Sequence, residues 1–322
     1  MDIVYIHSPI TYSIARLLAS QGRLDHPLVV CGRGLAWDGQ QVSVVDDGIW
    51  SPERTVEFLV KLSDALPPAP PPLHVYLPHT GYLLGKILKL SAAVTGISYL
   101  EEGNTSCNAL LASPSQDQLI DTHQLLQLLQ PHPAVMSKLR LTVQNIHDIN
   151  RVRPIWFDDA SPKYRGAYRV SPDAFPTLGK VTTLTLPPRN CLAGTERNWL
   201  CFLPNIINLV ARYGTGSAET QKLLHGLVIA LRTMKALVTD LGGKLVIKFH
   251  PVDDANLSNE FKAELFRFGE SYAGFSARHA IDAQLEPTLF NFDRFIVVNE
   301  SAASRYARLF HGQDCLIPLE LD

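Results

Sequence analysis

The sequence predicts an α/β protein built on parallel, doubly wound sheets, and three observations lead there. Over the first hundred residues, short apolar runs alternate with runs of helical period. That alternation belongs to parallel strands joined by helical crossovers. The helical runs carry their own punctuation, Ser-Pro at the start or Gly just past the end. The alternation then restarts near residue 196, beyond an irregular stretch rich in Pro, Arg and Tyr. A chain of 322 residues accommodates two domains of about 150 residues each. The expected division is a first Rossmann-like domain over 1–155, an irregular interdomain region over 156–195, and a second Rossmann-like domain over 196–322. The two are expected to face each other across a cleft, with ligands beyond the carboxyl ends of the strands.

Each element follows from its own residues. "DIVYIH" (2–7) reads as a strand, and "SPITYSIARLLASQG" (8–22) as a helix capped by Ser8, with Pro9 in its first turn. "HPLVVCGRG" (26–34) and "VSVVDDG" (42–48) read as strands. "SPERTVEFLVKLSDAL" (51–66) repeats the Ser-Pro helix start, and "PPAPPP" (67–72) is a stiff connection. "LHVYLPH" (73–79) is a strand, 80–96 a helix, and "ISYL" (97–100) the end of an apolar strand run. Residues 119–150 read as helices broken at Pro131 and Pro133. In the second half, "NWLCFLPNI" (198–206), "KLVIKFHP" (244–251), "YAGFSAR" (272–278) and "RFIVVNES" (294–301) read as strands. A long helix over 217–243 has Ser217 as its cap, and a shorter helix follows over 302–310.

Composition excludes several classes. The formal charge of −2 provides no electrostatic footprint for nucleic acid or for an anionic membrane. Five cysteines are scattered without a C-x-x-C pair, so reduced thiols are expected rather than a disulfide framework or a zinc site. The first residues lack the pattern of a secretory signal, and no apolar run is long enough to span a bilayer. A cytoplasmic location is therefore expected. P-loop, G-x-S-x-G, H-E-x-x-H and Asp-x-Asp motifs are absent, and "CGRGLAW" lacks the third glycine of a dinucleotide fingerprint.

Chemistry-bearing residues gather at predicted strand ends. "SYLEEGNTSC" delivers Glu101 and Glu102 to the end of an apolar strand. Adjacent side chains of a strand point to opposite faces, so the two acids are expected to do different jobs. "VIKFHP" puts Lys248 and His250 on one face, and Pro251 ends the strand there. A cation beside an imidazole suits a phosphate, and a turn histidine with a solvated lysine is the plain alternative. Ser301 lies where a strand passes into a helix, with Ser304 in the first turn. A helix start binds phosphate readily, although an ordinary cap has the same appearance. Glu286, followed by Pro287, is placed to accept the hydroxyls of a ribose or to favour a helix start through its charge.

The order of these motifs, an acid pair with Gly, then His-Pro, then a serine motif, resembles that of bacterial sialyltransferases. "LEEG" matches the first motif, "KFHP" the second and "ESAAS" part of the third, with Ala302 where the family carries another serine. "VVDDGIW" (44–50) also reads acid-acid-Gly but lies early in the chain. The resemblance implies the GT-B fold and CMP-sialic acid as donor, with no cofactor and no metal. It also implies inverting transfer to a glycan hydroxyl, as in polysaccharide or lipooligosaccharide biosynthesis. It makes Glu102 the base, with Glu101 the alternative, and has His250 assist departure of CMP. It places Lys248, Pro251, Glu286, Ser301 and Ser304 on the nucleotide. Asn104, His7, Thr11, Tyr12 and His79 are candidates for the acceptor side. A lipid-linked acceptor would bring the chain to the periphery of the inner membrane. Transfer from CMP-Kdo, another nucleotide-sugar GT-B reaction, and a non-catalytic binding protein of the same fold remain open at this point.

Overall fold

The computed structural model describes residues 1–32, 35–44, 51–107, 119–152, 155–185, 197–203, 217–240 and 242–248, with short runs at 206–207, 210, 214, 258, 262–263, 267, 270–271, 294–297, 308 and 316–318. The chain divides into two compact units, Met1–Leu186 and Pro187–Asp322. Each is an α/β unit of Rossmann-like character built on a parallel sheet.

The first unit runs β1 (Asp2–Ile6), α1 (Pro9–Ser20), β2 (Leu28–Cys31), β3 (Gln41–Ser43), α2 (Pro52–Ala65), β4 (Leu73–Leu77), α3 (Leu83–Leu90) and β5 (Val94–Leu100). It continues through α4 (Gly103–Cys107), α5 (Thr122–Leu129), α6 (Pro133–Lys138), α7 (Val143–His147), a 3-10 turn, β6 (Tyr164–Arg169) and β7 (Val181–Thr183). The seven strands lie in the order β3-β2-β1-β4-β5-β6-β7. That order reverses direction between β1 and β4, the topological switch of a doubly wound sheet. Helix starts fall where the serines predict them. Ser8 accepts from the Thr11 amide and Ser51 from the Arg54 amide.

β5 is buried at all but one position, as expected of a central parallel strand. Its start at Val94 shortens the helix expected over 80–96, which ends at Leu90. The stretch 156–195, expected to be irregular, carries β6 and β7 and extends the first sheet, so the first unit reaches Leu186. Arginines disguise these strands. Arg165 donates to the Thr95 carbonyl at 2.5 Å and Arg169 to the Ala174 carbonyl at 2.7 Å. Their guanidiniums thus bind backbone carbonyls, which apolar periodicity does not register.

The second unit contains β8 (Arg197–Phe202), α8 (Ala218–Asp240), β9 (Gly243–Lys248), β10 (Glu270–Ser271), β11 (Arg294–Val297) and β12 (Leu316–Pro318). Its strand order, β10-β9-β8-β11-β12, repeats the reversal of the first sheet, here between β8 and β11. The Ser217 hydroxyl caps α8, accepting from the Thr220 amide at 3.1 Å. Leu227, Leu231 and Val238 on α8 pack with Trp199, Cys201, Leu245 and Ile247. Helical spacing thus meets strand alternation in one core. The strand and helix expected over 272–278 and 302–310 lie outside the described residues, except for helical Arg308. Among the described residues no helix is long and apolar enough to cross a membrane. Cys31 and Cys201 are free thiols. Burial pushes Cys31 up to about 11 and Cys201 up to about 12, so neither is a thiolate at neutral pH.

The first sheet also contains a pH-sensitive joint. His74 on β4 shares a 2.9 Å hydrogen bond with the Ser98 hydroxyl on β5, and its other ring nitrogen lies 3.7 Å from Asp2 on β1. Burial lowers its pKa below the ordinary 6.5, against a smaller opposing pull from Asp2. A depressed imidazole means that the unfolded chain binds the proton more readily than the folded one. The associated stability is complete above 6.5 and is lost as pH falls below it. The melting temperature is therefore expected to drop between about pH 7 and pH 5, and more steeply in the wild type than in His74→Gln. Identical slopes for the two would exclude His74 as the source.

Candidate functional site

β1, β4 and β5 are neighbours in a parallel sheet, so their carboxyl ends share one edge. His7 directly follows β1, His79 lies two residues past β4, and Glu102 lies two residues past β5. The topology therefore gathers three chemistry-bearing side chains at the switch point, where ligands of such sheets bind. His7 Nε2 lies 2.5 Å from Glu102 Oε1, and His79 Nε2 lies 3.5 Å from Glu102 Oε2. The two imidazole side chains are almost fully buried, whereas the Glu102 side chain keeps 19% of its surface exposed. The side chain is thus partly reachable, although its Oε2 atom is buried.

Its neighbour Glu101 is fully buried and committed elsewhere. Glu101 Oε2 accepts from the amides of Val170, at 2.7 Å, and Ser171, at 2.9 Å. Its Oε1 accepts from the Ser171 hydroxyl. These donors lie just past the end of β6, where the ladder no longer satisfies the backbone. The acid pair therefore splits by strand geometry: Glu101 clamps the sheet and Glu102 meets the histidines. Gly103 follows with φ 45°, a left-handed turn that suits glycine and starts α4. The Glu102 amide donates to the Ser106 hydroxyl at 2.6 Å, fixing the backbone from which the carboxylate extends.

Both histidines are held by their surroundings. Thr11 Oγ1 accepts from the amides of His7, at 3.2 Å, and Ser8, at 3.1 Å, and donates to the Ser8 carbonyl at 2.8 Å. The His79 ring meets Tyr82 and Trp156 edge-on, with centroids 4.4 and 4.5 Å away. A side chain at Gly81 would strike the Trp156 ring at 2.8 Å, so this glycine lets the indole approach. Thr80 donates to the Ile155 carbonyl at 3.0 Å and accepts from the Tyr99 phenol at 3.1 Å. That phenol in turn accepts from the Asp158 amide at 2.8 Å. Burial pushes Tyr99 up to about 12, so it stays neutral and keeps the loop of Trp156 in place.

The other expected residues have different fates. Thr11, expected on the acceptor side, is wholly buried as part of the α1 cap. Tyr12 packs edge-on against Trp37, and the Arg16 guanidinium lies over its ring. Asn104 lies in α4, where its backbone alone is described. Lys248 ends β9, again with only its backbone described. His250, Pro251, Glu286, Ser301 and Ser304, and the early Asp46-Asp47-Gly48 run, lie outside the described residues. Sequence reading missed Ser106, Ser171 and Trp156. Ser106 was within reach through its spacing, four residues after Glu102. Ser171 and Trp156 depend on how the later chain returns to the first sheet. No group of His, Cys, Asp and Glu suited to holding a metal occurs among the described residues.

A buried imidazole touching a partly exposed carboxylate is an arrangement that takes or gives a proton. Among known proteins, no family model and no curated protein matches the chain.

Proposed function

We propose that the chain is an inverting glycosyltransferase of the GT-B type that moves sialic acid from CMP-sialic acid to a glycan hydroxyl, with Glu102 as the base. The observation that carries this reading is the position of Glu102. It stands past the end of a central strand, at the switch point, against two histidines, while Glu101 is consumed by the sheet. In the reaction, Glu102 takes the proton of the acceptor hydroxyl. The acceptor oxygen bonds to the anomeric carbon as the bond from that carbon to the phosphate oxygen breaks. CMP departs with the electron pair, and the configuration inverts. The leaving phosphate needs charge stabilisation more than strong acid catalysis. Lys248 and His250, at and beyond the end of β9, are the groups assigned to it. Pro251 is assigned to the nucleotide beside them, Glu286 to the ribose, and Ser301 and Ser304 to the phosphate.

Thermal denaturation with CMP, UMP, UDP, GDP and NAD at equal concentration tests the nucleotide. A ligand that binds only the folded state adds about 2.7 kcal/mol at a hundredfold excess over its dissociation constant. CMP alone is expected to raise the melting temperature, and His250→Ala to abolish the shift. A shift with UDP or GDP and none with CMP would overturn the assignment. CMP release from CMP-sialic acid and from CMP-Kdo then identifies the sugar.

A further inference from the structure

We infer that His7 is the positioning residue for Glu102, a donor that pins one carboxylate oxygen and so fixes the orientation of the base. The inference rests on the transferase reading for its chemistry, but its geometry stands on the chain alone. At 2.5 Å, His7 Nε2 and Glu102 Oε1 must share a hydrogen, because two bare lone pairs repel at that distance. An ionised glutamate brings none, so the base-competent form requires His7 with its proton on Nε2. The remaining ring nitrogen, Nδ1, is buried and has no hydrogen-bond partner among the described residues. The contact with Glu102 is therefore the interaction that selects the tautomer.

The two carboxylate oxygens are then unequal. Oε1 is held at 2.5 Å, whereas Oε2 faces His79 Nε2 at 3.5 Å, a full ångström longer. Oε2 is itself buried, and the short contact at Oε1 anchors the carboxylate. His7 is itself rigid. Its amide is tied to Thr11, its ring lies 5.2 Å from that of Tyr5, and it directly follows a core strand. Rigid support matters because a displacement of about 1 Å in a reacting group can cost about a hundredfold in rate. In the step itself, the acceptor's proton passes to the Glu102 carboxylate while the His7 proton stays on Nε2. Solvent at the exposed part of Glu102 removes the transferred proton after turnover.

Two measurements on the full chain decide the matter. Nitrogen-15 NMR of the histidines, with His7 assigned by the signal lost in His7→Gln, should show the Nε2–H tautomer. Glu102→Ala should shift that signal. A His7 with its proton on Nδ1, or one indifferent to Glu102→Ala, would overturn the inference. In CMP release with acceptor present, His7→Phe should lower kcat about 10- to 100-fold and leave KM for CMP-sialic acid nearly unchanged. His7→Gln keeps a donor at similar reach and should recover most of the loss, with its melting curve confirming the fold. Equal losses in both variants, or a loss confined to KM, would also overturn it. The tautomer is read without turnover. An Nε2–H signal in a chain that binds no CMP would therefore refute the transferase reading and uphold the pairing. The Nδ1–H form in an active enzyme would do the reverse.

Discussion

Glu102→Gln is expected to lower transfer from the CMP-sugar roughly 10²- to 10⁴-fold, the usual contribution of a positioned general base. The loss should fall on kcat, because the amide matches the carboxylate in shape and still accepts from His7 Nε2. The fold should be nearly unaffected, since the Glu102 side chain is partly exposed and its backbone bond to Ser106 does not involve the carboxylate. Rates of CMP release alongside melting curves for the same samples check this. Unchanged turnover in a well-folded variant would remove Glu102 from the base role.

Glu101→Ala should behave in the opposite way. It leaves the Val170 amide, the Ser171 amide and the Ser171 hydroxyl in a buried site without their acceptor. Each such orphan costs about 1–3 kcal/mol, so a loss of about 3 kcal/mol survives partial relaxation. For a unit of this size that lowers the melting temperature by about 6–12 °C. Glu101→Gln should be milder. Its carbonyl can accept from both amides, and the Ser171 hydroxyl can turn to accept from the new NH₂. Denaturation curves of the two variants measure this contrast. A Glu101→Ala protein as stable as the wild type, but inactive, would reverse the division of labour between the two acids.

That division shows how much of the site could be read in advance. Alternation along an extended chain required that the two acids face different ways, and both were visible at the end of an apolar run. Which acid faced which way depended on β6. The segment forming β6 hides its strand character, because Arg165 and Arg169 satisfy backbone carbonyls from within it. Without β6 in the sheet there is no Val170 or Ser171 to claim Glu101. Thr11 shows the reverse dependence. It was a candidate for the acceptor side, and capping demand at the start of α1 claims its hydroxyl.

The order of strands and helices, the caps at Ser8, Ser51 and Ser217, and the delivery of two carboxylates to a strand end all follow from interactions within a few residues. Periodicity, capping and turn chemistry act at that range, so the linear chain carries them in full. The meeting of His7 with Glu102 joins positions 95 residues apart. It exists because β1, β4 and β5 lie side by side and in parallel, an arrangement set by the packing of the whole sheet. Local sequence supplied the imidazoles and the acids. Their pairing, and with it the choice of Glu102 over Glu101, came from non-local strand order, which leaves no local periodicity to read.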